Sequence, residues 1–460
     1  MRSALRFASF APLETTVPVA VVLTEVALAC GSSSIAWVSR GGRDARWVLL
    51  FVLVASAAAL FALRVAWSRA RPFAPAGWLV LLALVSAAWS VDPRLSVERA
   101  VSLAVLFAAG FFIATTAASL ALIERVLVAL LGGAVIVALL GLIILAVDRG
   151  AALESVAGAP TRYRGLGEDA NTAALLFAVV LPLAAWGVTR GGRPRQRLAA
   201  GAVFLLLDGS IVAALSRDAL AGGFAGVVLV AFVAPRTWSA RVSWAAAAVA
   251  LAGVSYGVTR IPSSAPAAAP SALRAPAAAH PRSRWVDVDN VFPLNDDIGS
   301  PLPHALNASP PASTFTWSGR LRAWDGALGQ VGRRPAAGYG FGTEERVFVD
   351  RYLGFGGSFP ENSYIGFLLQ LGAVGLASFL VLAALWLGRA FRAYTRLGER
   401  DRLALVACAG IVVAGLVCAF VQSYLTSVGN IATAAFWIGA FLLAALGDPR
   451  SVWPFRPPIG

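Results

Sequence analysis

Apolar runs of about 20 residues, the length an α-helix needs to cross a ~30 Å hydrocarbon layer, recur along the whole chain and constrain its fold more than any other feature. They lie near residues 15–38, 47–67, 73–90, 97–118, 124–147, 171–189, 197–215, 217–235, 241–259, 362–388, 402–424 and 428–447. A water-soluble core cannot hide them: 58% of the residues are hydrophobic, 13% are charged and the mean hydropathy is +0.74, so lipid has to be the solvent for most of the chain. Trp47, Trp67, Trp89, Trp186, Trp238 and Trp244 stand near run ends, where an amphipathic ring settles in the headgroup layer. The expected fold class is an all-α polytopic membrane protein with about 12 transmembrane helices.

A net charge of +14 would suit nucleic acid, but the arginines fall in the gaps between runs rather than along one face of a domain. Topology and anionic lipid headgroups account for that pattern, so membrane lipid is an expected partner and nucleic acid is not. All 38 basic residues are Arg, a bias that accompanies abundant Ala and reflects base composition. Cys30, Cys408 and Cys418 lie within apolar runs without metal-ligand spacing and read as small packing residues. Arg2 and Arg6 precede a first run with no clear cleavage site, so that run reads as a span rather than a signal peptide.

With the N-terminus cytoplasmic, so are Arg69, Arg71, Arg190, Arg193, Arg195, Arg197, Arg236, Arg241, Arg389, Arg392, Arg396, Arg400, Arg402 and the tail residues Arg450 and Arg456. The bias favours both termini inside. Arg40, Arg43 and Arg46, in the first outer gap, are the main exception. Four polar features then emerge on the outer, periplasmic face: Asp148–Ala170, the tight turn at Ser216-Arg217-Asp218, a long loop at Arg260–Glu361, and a brief gap around Thr426.

The chain divides into a bundle of helices 1–9 over residues 1–259, a periplasmic loop over 260–361, helices 10–12 over 362–447, and a cytoplasmic tail over 448–460. Residues 260–311 of the loop are of low complexity, rich in Ala, Pro and Ser, whereas 312–361 reads as a structured part covering a site. Within it, Ser318 to Leu328 fits a short amphipathic helix with Leu321, Trp324 and Leu328 on its apolar stripe and Arg322 and Asp325 off it. Gly338, Gly340 and Gly342 follow Pro335 and point to a tight backbone path.

Four places can carry chemistry. Arg162 and Arg164 precede a run that begins with Asn171 as the expected N-cap; a helix N-terminus beside guanidinium groups suits a phosphate or diphosphate, although headgroup contact explains the same spacing. Arg217 sits in a turn with almost no polar length, where an arginine is functional or locally paired with Asp218. Arg320 and Arg322 share the loop helix with Trp317 and Trp324, a mix that serves sugar phosphates or a membrane interface. Glu361 opens a span, where partial desolvation would raise its pKa toward that of a general base or where it simply caps a helix. Walker, dinucleotide, nucleophile-elbow and His/Cys metal motifs are absent, and His280 and His304 lie far from these residues. Asp208 and Glu25, the acids within runs, supply the case for a transporter.

The ordered set resembles the O-antigen ligase and polymerase superfamily of bacterial inner-membrane glycan-transfer enzymes. It consists of Arg164-Gly165 leading through Asp169 to Asn171, Ser216-Arg217 at a span start, Arg320 and Trp324 ahead of Pro335 and Gly338–Gly342, and Asn362-Ser-Tyr364 continuing to Leu371-Gly372 and Gly375-Leu376. Where the family has His before the Asn this chain has Glu361, and where it has Glu before the Leu-Gly pair this chain has Gln370. The resemblance implies glycan transfer from a polyprenyl diphosphate donor to an acceptor hydroxyl, without cofactor or metal, on the periplasmic face. It assigns Arg164, Arg217, Arg320 and Arg322 to the diphosphate, Glu361 with Arg217 to catalysis, and Trp317, Trp324, Asn362 and Tyr364 to glycan or acceptor. The acceptor is another lipid-linked repeat unit for a polymerase, slightly preferred, or lipid A-core for a ligase, with a chain-length regulator as a further partner. A transporter and a non-catalytic divergent member are the alternatives.

Overall fold

The computed structural model describes residues 11–64, 71–116, 120–155, 160–190, 193–235, 237–260, 317–348 and 359–448. In chain order the helices are α1 (Ala11–Gly31), α2 (Ala36–Arg64), α3 (Ala74–Val85, flanked by single 3-10 turns), α4 (Pro93–Thr116), α5 (Leu120–Val147), the short α6 (Arg149–Ala152), α7 (Ala170–Thr189), α8 (Pro194–Ala213), α9 (Arg217–Val233) and α10 (Trp238–Val258). Then come α11 (Trp317–Val331), the short α12 (Glu344–Val347), α13 (Ser363–Tyr394), α14 (Glu399–Cys418) and α15 (Thr433–Leu446). The strands among the described residues are β1 (Leu153–Glu154) and β2 (Arg162–Tyr163), paired antiparallel.

Ten of these helices are long and apolar enough to cross a membrane. Helices α9 and α15, with 17 and 14 residues, are shorter. Helix α7, and α14 beyond its charged first turn, are apolar on all faces and sit inside the bundle, whereas α10 is peripheral. Around this core α1 pairs with α2 and α5, α4 with α2 and α15, and α9 with α7 and α14. Phe73, Phe107, Trp386, Trp437 and Phe441 fill the centre with stacked and edge-on rings.

Small residues let three central helices approach to backbone distance. Gly222 and Gly226 on α9 meet Gly410, Ala414 and Cys418 on α14, the small-residue spacing that serves helix packing where lipid removes the hydrophobic drive. A Cβ on Gly226 would stand 2.4 Å from the Gly410 carbonyl oxygen and 2.5 Å from Pro182 Cγ, and neither can yield. Gly226→Ala is therefore expected to cost about 2 kcal/mol in thermal unfolding of the solubilised protein, while Gly132→Ala, with nothing within 4 Å, leaves the melting temperature unchanged.

Two boundaries differ from the sequence reading. Arg40, Arg43 and Arg46 lie inside α2, because the first turn is confined to residues 32–35. Helix α14 stops at Cys418, so the expected brief gap around Thr426 is a polar turn over residues 419–432. All but Arg260 of the low-complexity stretch 260–311, His280 and His304 included, lies outside the described residues.

Helix α13 is broken at Gly372 (φ +63°). The break frees the Leu369 and Gln370 carbonyls, which accept from Tyr339 N–H and Gly340 N–H at 2.9 Å each. In return Ala373 N–H donates to the Pro335 carbonyl at 2.8 Å. The tight path expected for the glycine stretch is thus a backbone splice that satisfies a broken membrane helix from outside. Gly338 can have no side chain there, since a Cβ would fall 2.6 Å from the Gln370 carbonyl carbon.

Candidate functional site

The polar segments gather at one end of the bundle. Helix α11 lies across it, held from two sides: Arg320 Nη1 is ion-paired with Asp218 in the first turn of α9, and Trp324 Nε1 donates to the Pro360 carbonyl at 2.8 Å. Its buried stripe is Arg320, Ala323, Ala327 and Gln330, while Leu321 and Leu328 are exposed. The expected apolar stripe is therefore wrong. Alanines permit close packing on α13, and the guanidinium turns inward to reach its carboxylate partner. Trp317 and Arg322 occupy positions of α11 whose side chains lie outside the described residues.

Arg320 is not fully satisfied by Asp218. Its Nε–H is buried with no acceptor, and so is the Ser216 hydroxyl, which sits at the N-cap of α9 without capping it. Unfilled donors thus converge on a helix N-terminus, where the orphan backbone N–H groups and the macrodipole favour an anion. Arg217 is exposed and, among the described residues, in no ion pair. It lies within electrostatic reach of Tyr256, whose hydroxyl accepts from Arg260 at 2.5 Å.

The segment before α7 contributes differently from the sequence reading. Asp169, not Asn171, caps α7, accepting from Asn171 N–H at 2.8 Å and Thr172 N–H at 2.9 Å. Asn171 instead accepts from Arg162 Nη2 at 2.5 Å. Arg162 also donates to the Ala214 carbonyl at 2.9 Å and lies 4.0 Å from Glu154; burial holds it below the usual guanidinium pKa, with Glu154 and Asp169 opposing. Arg164 faces the short α6, donating to the Ala151 carbonyl at 2.8 Å and the Gly150 carbonyl at 3.1 Å. Arg162 is thus the buried arginine of this segment, and Arg164 ties it down at the rim.

Glu361 is partly buried at the turn into α13 with φ +54°. Burial pushes its carboxyl up to about 8; Asp169 acts in the same direction, Arg320 opposes, and Glu344 and Asp218 add to the rise. The following Asn362 caps α13, accepting from Tyr364 N–H at 2.9 Å and Ile365 N–H at 3.1 Å. Tyr364 directs its hydroxyl into the bundle, donating to the Leu416 carbonyl at 2.8 Å. Both side chains are engaged in holding the turn.

Glu344 is a member the sequence reading missed. It is buried beside Gly366, accepts from Ser423 Oγ at 2.8 Å and Gln370 Nε2 at 2.9 Å, and is pushed up to about 7 mainly by that burial. Ser423 Oγ in turn accepts from Asn362 N–H at 3.1 Å, and Gln370 Oε1 accepts from Gly342 N–H at 2.8 Å. Gln370, noted in the sequence only as a departure, is the hub joining the glycine stretch, Glu344 and Thr426.

Backbone strain marks the same place. Among the described residues the non-glycines with positive φ are Leu215 (+52°) and Glu361 (+54°). One immediately precedes Ser216-Arg217-Asp218 and the other is the candidate base itself. Such conformations cost about 1 kcal/mol or more and persist where the surroundings enforce them, commonly at functional sites. Neither a protein-family model nor a curated protein sequence matches the chain.

Proposed function

We propose that the chain is a membrane glycosyltransferase of the O-antigen ligase and polymerase type. It would move a glycan from a polyprenyl diphosphate donor to an acceptor hydroxyl on the periplasmic face of the bacterial inner membrane, with polymerisation of repeat units preferred to transfer onto lipid A-core. The observation that carries this reading is Arg320, a buried guanidinium with an unfilled Nε–H at the N-terminus of α9, close enough to Glu361 to act on its charge.

In this reaction the acceptor oxygen bonds to the anomeric carbon as its proton passes to the Glu361 carboxylate. The bond from that carbon to the diphosphate oxygen breaks, and its electron pair leaves on the diphosphate. Charge grows on the leaving group, so preplaced guanidinium groups favour the transition state over the ground state. Arg217 meets the diphosphate at the mouth of the site, and Arg320 meets it in competition with Asp218. Arg162 and Arg164 are engaged with Asn171, the Ala214 carbonyl and the carbonyls of α6, so this reading gives them the frame of the site and leaves the diphosphate to Arg217 and Arg320.

A transporter is the second reading, favoured by Glu25, whose carboxylate oxygens lie buried within α1 without partners. Deletion of the gene and complementation with wild type separates the two. Loss and recovery of lipid-linked or surface polysaccharide supports transfer, and the product's length pattern separates polymerase from ligase. A deletion that leaves every surface glycan unchanged removes the transferase reading.

A further inference from the structure

Three arginines on the site-bearing end of the bundle remain unexplained by the transfer chemistry, and they conflict with the positive-inside bias. Arg43 and Arg46 project from the first turns of α2, and Arg99 from the start of α4. Arg43 and Arg46 stand about one helical turn apart on α2, and Arg46 and Arg99 pack on Gly429 and Gly342, segments that Gln370 ties together through Thr426 and the Gly342 N–H. Among the described residues none of the three is in an ion pair, and the neighbouring Asp44 is exposed and unpaired with them.

The cluster is built rather than incidental. The Arg46 guanidinium rests on the polar turn after α14, with Nη1 2.9 Å from where a Cβ on Gly429 would stand. Its Nε–H is buried with no acceptor, and its cationic carbon lies 5.6 Å from the centre of the Trp47 ring. The Arg99 stem packs on Gly342, leaving 2.6 Å between its Cβ and a would-be Cβ there. Three like charges gathered around an unfilled donor repel one another unless an anion joins them, and a phosphate accepts from several guanidinium N–H groups at once.

We propose that Arg43, Arg46 and Arg99 form a site for the phosphate of an anionic amphiphile in the membrane leaflet at this end of the bundle. Trp47 supplies the interfacial ring beside it, and the amphiphile's chains would lie along α2 and α4. A diacyl phospholipid and a glycolipid bearing phosphate monoesters present the same chemistry, and one experiment distinguishes them.

Native mass spectrometry of the full chain, titrated separately with phosphatidylglycerol, a diphosphorylated disaccharide lipid and diacylglycerol, reads the site without requiring any activity. The expected result is one tightly retained phosphate lipid, lost by about tenfold in affinity in Arg46→Gln, retained in Arg46→Lys, and retained in Arg40→Gln, which removes the same charge from the same helix outside the cluster. The arm in which the loss appears names the source. Should Arg46→Gln fail to fold, Arg43→Gln with Arg99→Gln, both exposed side chains, carries the same test. Equal loss in Arg40→Gln, equal retention of diacylglycerol, or unaltered binding in the cluster variants overturns the proposal.

Discussion

Arg320→Ala is expected to reduce glycan transfer by about 10²–10³-fold, the cost of removing one preorganised donor from a developing anion, and to loosen α11 from the bundle. The second effect follows from burial: Asp218 keeps a side chain only 25% exposed and loses its cation, a change worth about 3 kcal/mol. Limited proteolysis of the solubilised protein reads the loosening, and transfer from a polyprenyl diphosphate donor reads the catalysis. Asp218→Asn separates the roles, because it also weakens the α11 contact while leaving Arg320 free. It should bind polyprenyl diphosphate more tightly than wild type, whereas Arg320→Ala binds it more weakly. Wild-type transfer in Arg320→Ala would remove Arg320 from the mechanism, and unchanged affinity in Asp218→Asn would remove the competition.

Glu361→Gln should lower transfer by about 10²–10⁴-fold, the usual span for a positioned general base. The pH dependence carries a sign. A base pushed up to about 8 is ionised only in part at neutral pH, so the wild-type rate should climb about tenfold per pH unit and level off above about pH 8. Glu344→Gln removes one like charge from its surroundings and should shift that rise to lower pH without abolishing it. Stability moves the other way. Carboxyls raised to about 8 and about 7 hold protons in the folded state that the unfolded chain gives up near pH 4, so stability is full below about pH 4 and falls as pH rises toward 8. Glu361→Gln should therefore melt higher than wild type at pH 8.5 and equally at pH 4. Glu361→Gly, which suits the +54° backbone angle, should share the inactivity and add about 1 kcal/mol of stability. A flat pH–rate profile would refute the assignment of Glu361 as base.

Several residues of the candidate site stand out in the sequence, but not how they are wired together. Arg217, Arg320 and Glu361 were legible because each is costly where it stands: an arginine or carboxylate at the edge of an apolar run needs a reason. The resemblance points to Arg164, yet Arg162 is the buried one: β2 ends at Tyr163 with both of its side chains turned into the protein, while Arg164 beyond it ties to the carbonyls of α6. Asn171 looked like a cap for being an amide at a run start; Asp169 holds that role through two backbone N–H groups. Glu344 drew no notice in a loop with several acids, since nothing local distinguishes it from Glu345.

The sequence by itself determined that the chain is a bundle of membrane helices with its polar segments between them. A backbone in lipid has to satisfy its hydrogen bonds within each segment, so composition and run length suffice. Only the tertiary structure decided which polar residues meet. The ion pair of Arg320 with Asp218 joins positions 102 residues apart, and Glu344 reaches Ser423 across 79. Such contacts follow from how helices pack at backbone distance around small residues and from where one of them breaks, and no periodicity in the chain records either.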